Sequence, residues 1–66
     1  MPRTLEELAS MIAKRDGISF NEAMIAVRDC AAEMEQAFYN GDLFGAEEIL
    51  ANSLGLEPDY LDLFIF

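Results

Sequence analysis

The chain has 66 residues, 53% of them hydrophobic, with no histidine, a single cysteine and a formal net charge of −9. Such a length allows one small domain, residues 1–66, which buries only roughly 60% of its unfolded surface; a lone Cys30 excludes an intrachain disulfide, and the missing histidine and second thiol exclude the usual zinc ligand sets. Stability must then come from helix packing or self-association.

The first predicted element follows Thr4-Leu5-Glu6-Glu7, which reads as a capping box: the Thr4 hydroxyl accepts from the Glu7 amide and the Glu7 carboxylate reaches back. A helix then runs to about Arg15, with Leu5, Leu8, Ala9 and Ile12 at helical spacing. Lys14 and Arg15 suit the negative end of its dipole, and Gly17 with Ile18 reads as a glycine stop followed by an apolar residue.

Ser19-Phe20-Asn21-Glu22 is a second capping box. The helix it starts should span Phe20 to Tyr39, about 30 Å at 1.5 Å per residue, and form the backbone of the fold. Phe20, Met24, Val27, Ala31, Met34 and Phe38 step by alternating fours and threes, which predicts a buried seam flanked by Ala23, Cys30 and Ala37.

Asn40-Gly41 ends that helix, and Asp42 is placed to cap a third over about Leu43 to Ser53. Leu43, Ala46, Ile49, Leu50 and Leu54 form its expected core face. Gly45 in its first turn suggests close approach to the long helix. Gly55-Leu56 repeats the glycine-then-apolar stop, and Pro58 suits the first position of a short fourth helix, Pro58 to about Ile65. No strand pattern appears. The expected fold is all-α: a small bundle of three helices, the second long and central, plus a short C-terminal fourth helix.

Charge is distributed unevenly. Residues 1–28 carry four acids and four bases, whereas Asp29, Glu33, Glu35, Asp42, Glu47, Glu48, Glu57, Asp59 and Asp62 have no Lys or Arg among them. Direct nucleic-acid binding relies on phosphate neutralisation by cations, and this half has none to offer. Glu33, Glu35, Asp42, Glu47, Glu48, Asp59 and Asp62 are the candidate acidic surface, suited to a basic partner or simply to solubility.

The residues argue against an enzyme. Nucleophilic catalysis needs an activated side chain beside a base; there is no histidine, and Cys30 flanks the apolar stripe, where a free cysteine acts as a small hydrophobe. Glu6-Glu7 and Glu47-Glu48 are adjacent, and adjacent helical residues do not face one another. Calcium-loop and phosphate-loop motifs are absent, so no catalytic residue, metal or cofactor is expected. No apolar run approaches the roughly 18 residues of a membrane span.

AEEILANSLGLEPDYLDLF, residues 46–64, resembles a family of small acidic helical proteins of phages and prophages, in which an E-[ED]-I-L helix precedes L-G-L-E-P-D-Y-L. GISFNEAMIAV, residues 17–27, is similar to the G-[IV]-S-x-x-E-A start of that family's central helix. The resemblance implies a phage or prophage origin and a small helical fold; it implies no activity and no functional residues. With no signal-peptide h-region in MPRTLEELAS, the expected compartment is the cytoplasm, that of the host if phage-encoded.

Two functional expectations result. On an α-helical wheel, Tyr60, Leu61, Leu63, Phe64 and Ile65 cover roughly 200°, about twice what one packed face needs. Tyr60, Leu63, Phe64, Ile65 and Phe66 are therefore the candidate partner-binding residues of an acidic protein-interaction module, which either self-associates as a two-fold dimer or binds a host protein. The alternative is an acidic nucleic-acid mimic that occupies the groove of a basic host nuclease or polymerase. A helix-turn-helix reading fails because the third helix carries Glu47 and Glu48 and no base-reading Lys, Arg or Gln.

Overall fold

The computed structural model describes residues 1–65. Three α-helices, α1 (Leu5–Asp16), α2 (Phe20–Tyr39) and α3 (Leu43–Leu54), precede a 3-10 helix (Pro58–Phe64), with no strand among the described residues. The fold is all-α. The 20 residues of α2 set the long dimension of the molecule, 33 Å against 20 and 19 Å across. Both α1 and α3 pack on α2, and the 3-10 helix closes against α3 and α2. No helix among the described residues is long and apolar enough to cross a membrane.

Local chemistry sets the boundaries. Thr4 Oγ1 accepts from the Glu7 amide at 3.1 Å, while the Glu7 carboxylate accepts from the Arg3 amide at 2.8 Å rather than from Thr4 as the capping box predicts. The Ser19–Glu22 box is complete, with reciprocal bonds of 3.0 and 3.1 Å. Gly17 and Gly55 both close their helices in the left-handed region, at φ 69° and 65°, where a Cβ would be strained. The apolar residue after each is drawn inward, and Leu56 is buried.

Gly45 has a different reason from the expected approach to α2. Its amide donates to Asp42 Oδ1 at 2.8 Å, and a Cβ at position 45 would run into that same carboxylate. The glycine makes room for the cap of its own helix.

The buried line of α2 also differs from the predicted seam. Ala23, Val27, Cys30, Met34 and Ala37 are buried, whereas Phe20 is exposed and Met24, Ala31 and Phe38 are half-buried. The step of fours and threes is retained and Val27 and Met34 hold their expected places, but the alternate members move by one position to the smaller Ala23, Cys30 and Ala37. Since α2 is flanked by α1 and α3, its inward line lies between two helices. Small residues there permit close approach, while the bulky ones close the rim. Fully buried Ala9 and Ala46 extend the same logic to α1 and α3.

The last element is 3-10 rather than α-helical, which changes its faces. With three residues per turn, side chains at i and i+3 align. Leu61 and Phe64 share one edge, Tyr60 and Leu63 a second, and Asp59 and Asp62 the third. Phe64 is fully buried, Leu61, Tyr60 and Leu63 are half-buried against the core, and both aspartates are exposed. The wide apolar arc of an α-helical wheel resolves into one buried edge, one flank and one wet edge.

Candidate interaction surface

Among the described residues expected to bind a partner at the C-terminus, Tyr60, Leu63, Phe64 and Ile65 range from fully buried to exposed. Phe64 has 0% exposure and belongs to the core, so its assignment as a contact residue is corrected: its ring is consumed by intrachain packing. Tyr60 and Leu63 pack against the core as half-buried flanks, and the Tyr60 hydroxyl donates to Met11 Sδ at 3.8 Å. Ile65 is exposed. Phe66 lies outside the described residues.

The larger exposed apolar group sits at the α2–α3 corner. Tyr39, the last residue of α2, is 89% exposed; Leu43 and Phe44, the first two of α3, are 58% and 79% exposed. The turn between them is tight: the amides of Asn40, Gly41 and Asp42 donate back to the carbonyls of Gln36, Phe38 and Ala37 at 2.8–3.1 Å. All three side chains are thereby held at the same end of the bundle. Leu43 was expected in the core, since it lies on the angular face of Ala46 and Leu50. A helical side chain leans towards the N-terminus, however. At the first position of α3 it covers only the turn, not a neighbouring helix. The signal was available in the sequence: three large apolar residues flank Asn40-Gly41-Asp42, and residues beside a short turn lie at a bundle end.

Carboxylates border this corner at regular spacing. Glu35 precedes Tyr39 by one helical turn, Glu47 follows Leu43 and Glu48 follows Phe44, each at the i, i+4 spacing that places side chains on one face. Glu35 and Glu48 are exposed and Glu47 partly so. Glu33, Asp42, Asp59 and Asp62 are also exposed, Asp42 with its carboxylate committed to the α3 cap. Glu35, Glu47 and Glu48 thus border the corner, and Asp59 and Asp62 form the wet edge of the 3-10 helix.

A second apolar exposure, Phe20 and Ile25, lines an open cleft of about 470 Å³ with Met24, Asn21, Glu6 and Arg28. Its charged rim holds one cation and one anion.

Cys30 is buried, its thiol 3.6 Å from Met34 Sδ. Burial pushes the thiol up to about 11, the Glu33 carboxylate adds to the rise, and Ser53 opposes it. At neutral pH it is a protonated, shielded thiol, the opposite of an activated nucleophile. Among the described residues no three Cys, Asp or Glu side chains converge as a metal site.

Comparison of the chain with protein-family models, curated proteins and solved structures gave no match.

Proposed function

We propose that the protein is a small acidic protein-interaction module of phage or prophage origin, and that it contacts its partner through the α2–α3 corner. The observation that carries this reading is the exposure of Tyr39, Leu43 and Phe44 together, on a tight turn, within a chain that buries or half-buries most of its other described large apolar side chains. Apolar patches rimmed by charge mark contact surfaces. The origin rests on the resemblance of residues 46–64 and 17–27, which points to host proteins as partners.

The test is affinity capture from bacterial lysate with the wild-type chain and with Tyr39→Ala/Leu43→Ala/Phe44→Ala. Proteins retained by the first and lost with the second support the reading. Identical capture by both refutes it.

The acidic-mimic reading draws on a separate observation, the nine acids of residues 29–66 without a cation. It predicts captured proteins that bind nucleic acid, are released between low and moderate salt, and are indifferent to the corner substitutions.

A further inference from the structure

The polarity of the corner specifies the chemistry of what docks there. We infer that the segment seated on Tyr39, Leu43 and Phe44 is a cationic, apolar peptide segment of a partner protein, with Lys or Arg side chains interleaved among large apolar ones. The inference rests on the corner being the contact surface and adds the identity of its occupant.

Two features of the corner point the same way. The first is the pairing of each apolar residue with a carboxylate one turn along its helix: Tyr39 with Glu35, Leu43 with Glu47, Phe44 with Glu48. A ligand covering the apolar group therefore meets a negative charge beside every contact.

The second is the treatment of the helix ends. A helix C-terminus carries a partial negative charge that cations offset. The α1 end has its own Lys14 and Arg15. The α3 end receives the Arg15 guanidinium, whose Nη2 donates to the Leu54 carbonyl at 2.7 Å. The α2 end has no basic residue in its last turn, and no Lys or Arg follows anywhere in residues 29–66. Of the three α-helix C-termini, the one left without a cation is the one at which the apolar residues are exposed. A partner's Lys or Arg supplies the missing counter-charge while its apolar side chains cover the rings.

The same charges disfavour other occupants. A two-fold dimer through this corner sets Glu35, Glu47 and Glu48 of one copy against the same acids of the other. Nucleic acid and anionic lipid meet the same repulsion.

The test is nuclear magnetic resonance titration of the ¹⁵N-labelled chain with three synthetic peptides of equal length: an amphipathic Leu/Lys peptide, the same pattern with Glu for Lys, and oligolysine. The expected result is amide shifts centred on residues 38–48 with the Leu/Lys peptide, and affinities at least about tenfold weaker for the other two. Phe44→Ser weakens Leu/Lys binding by about tenfold or more. Glu35→Gln/Glu47→Gln/Glu48→Gln weakens it and flattens its salt dependence. Phe44, Glu35 and Glu48 are exposed and Glu47 partly so, so the variants should keep the fold; a dispersed amide spectrum checks this, and the unaltered chain with the three peptides is decisive without them.

Equal binding of oligolysine would reduce the corner to charge alone and overturn the inference. So would shifts centred on the Phe20–Arg28 cleft, no binding of the Leu/Lys peptide, or concentration-dependent shifts at residues 38–48 without peptide, which would mark a second copy as occupant. Corner-dependent capture from lysate combined with failure of the Leu/Lys peptide leaves the interaction module standing and removes only the cationic occupant.

Discussion

Arg15 of α1 closes α3: its guanidinium donates to the Leu54 carbonyl at 2.7 Å while Nε and Nη2 hold the two Asp16 carboxylate oxygens at 2.7 and 3.0 Å. The neighbouring Asp16 steadies the fork, and the bond with Asp16 draws that carboxyl below its usual range. One side chain thus serves the last turn of its own helix and the end of another. Arg15→Ala should cost about 1 kcal/mol, the net worth of such a hydrogen bond, and lower the melting temperature by roughly 5 °C. Arg15→Lys keeps the charge but not the fork and should recover only part of the loss. Urea unfolding of the three proteins checks this; equal midpoints would mean that the Leu54 carbonyl is satisfied as well by water.

Phe64 and Ile65 are adjacent and should behave oppositely. Phe64→Ala empties a fully buried site and should cost about 3–5 kcal/mol. A 66-residue domain has a total stability of the same order, so this variant should be largely unfolded at 25 °C. Ile65→Ala should change stability by no more than about 0.5 kcal/mol. Circular dichroism with urea separates the two, and a folded, stable Phe64→Ala protein would contradict the packing described.

Gly45 and Asp42 should be coupled. Gly45→Ala gains up to about 1 kcal/mol of helix propensity but displaces the Asp42 carboxylate, whose cap is worth about the same, so the single variant should be near neutral. Asp42→Ala alone should lose about 1 kcal/mol. Adding Gly45→Ala in that background should recover it, a coupling of about 1 kcal/mol in a double-mutant cycle. Stabilisation of the wild type by Gly45→Ala to the same extent as the Asp42→Ala protein would remove the steric link.

Cys30 reports on opening and on alkaline pH. Its thiol should react with iodoacetamide at pH 8 at least about a hundredfold more slowly than in urea, because access requires unfolding. The unfolded thiol ionises near 9.0, whereas the folded one holds its proton to about 11. The folded state therefore binds more protons between those values, and stability falls as pH rises from about 9 to 11. Cys30→Ala should lack this part of the slope. Parallel pH profiles would place the thiol in contact with solvent.

Element boundaries were legible because they are written in local chemistry. Thr4, Ser19 and Asp42 satisfy amides within three residues, and Gly17 and Gly55 close helices with bonds to carbonyls four residues back. Facing was less legible. The α2 pattern fixes a wide apolar stripe, but only the positions of α1 and α3 decide that its centre runs through Ala23, Cys30 and Ala37 rather than Phe20, Ala31 and Phe38. The pitch of the last element was illegible for a similar reason. The seven residues from Pro58 to Phe64 form an α- or a 3-10 turn with little local preference, and seating Phe64 in the core accompanies the tighter form. The surface followed from both: an incorrect pitch gave residues 60–65 a spare apolar face, while Leu43 was credited to the core.

The order of packing along the chain also bears on how the protein folds. The principal helix contacts join neighbours, α1 with α2 and α2 with α3, each across a turn of three residues. Each such hairpin can form before the other, because few residues separate its halves. The Arg15–Leu54 and Met11–Tyr60 bonds differ: they span 39 and 49 positions. They bring α1 together with the end of α3 and the 3-10 helix, a closure that carries a larger loop entropy than either hairpin. Folding should therefore be fast and hairpin-first, with Arg15 and Tyr60 joining late, so that substitutions at these two positions accelerate unfolding and leave the folding rate almost unchanged.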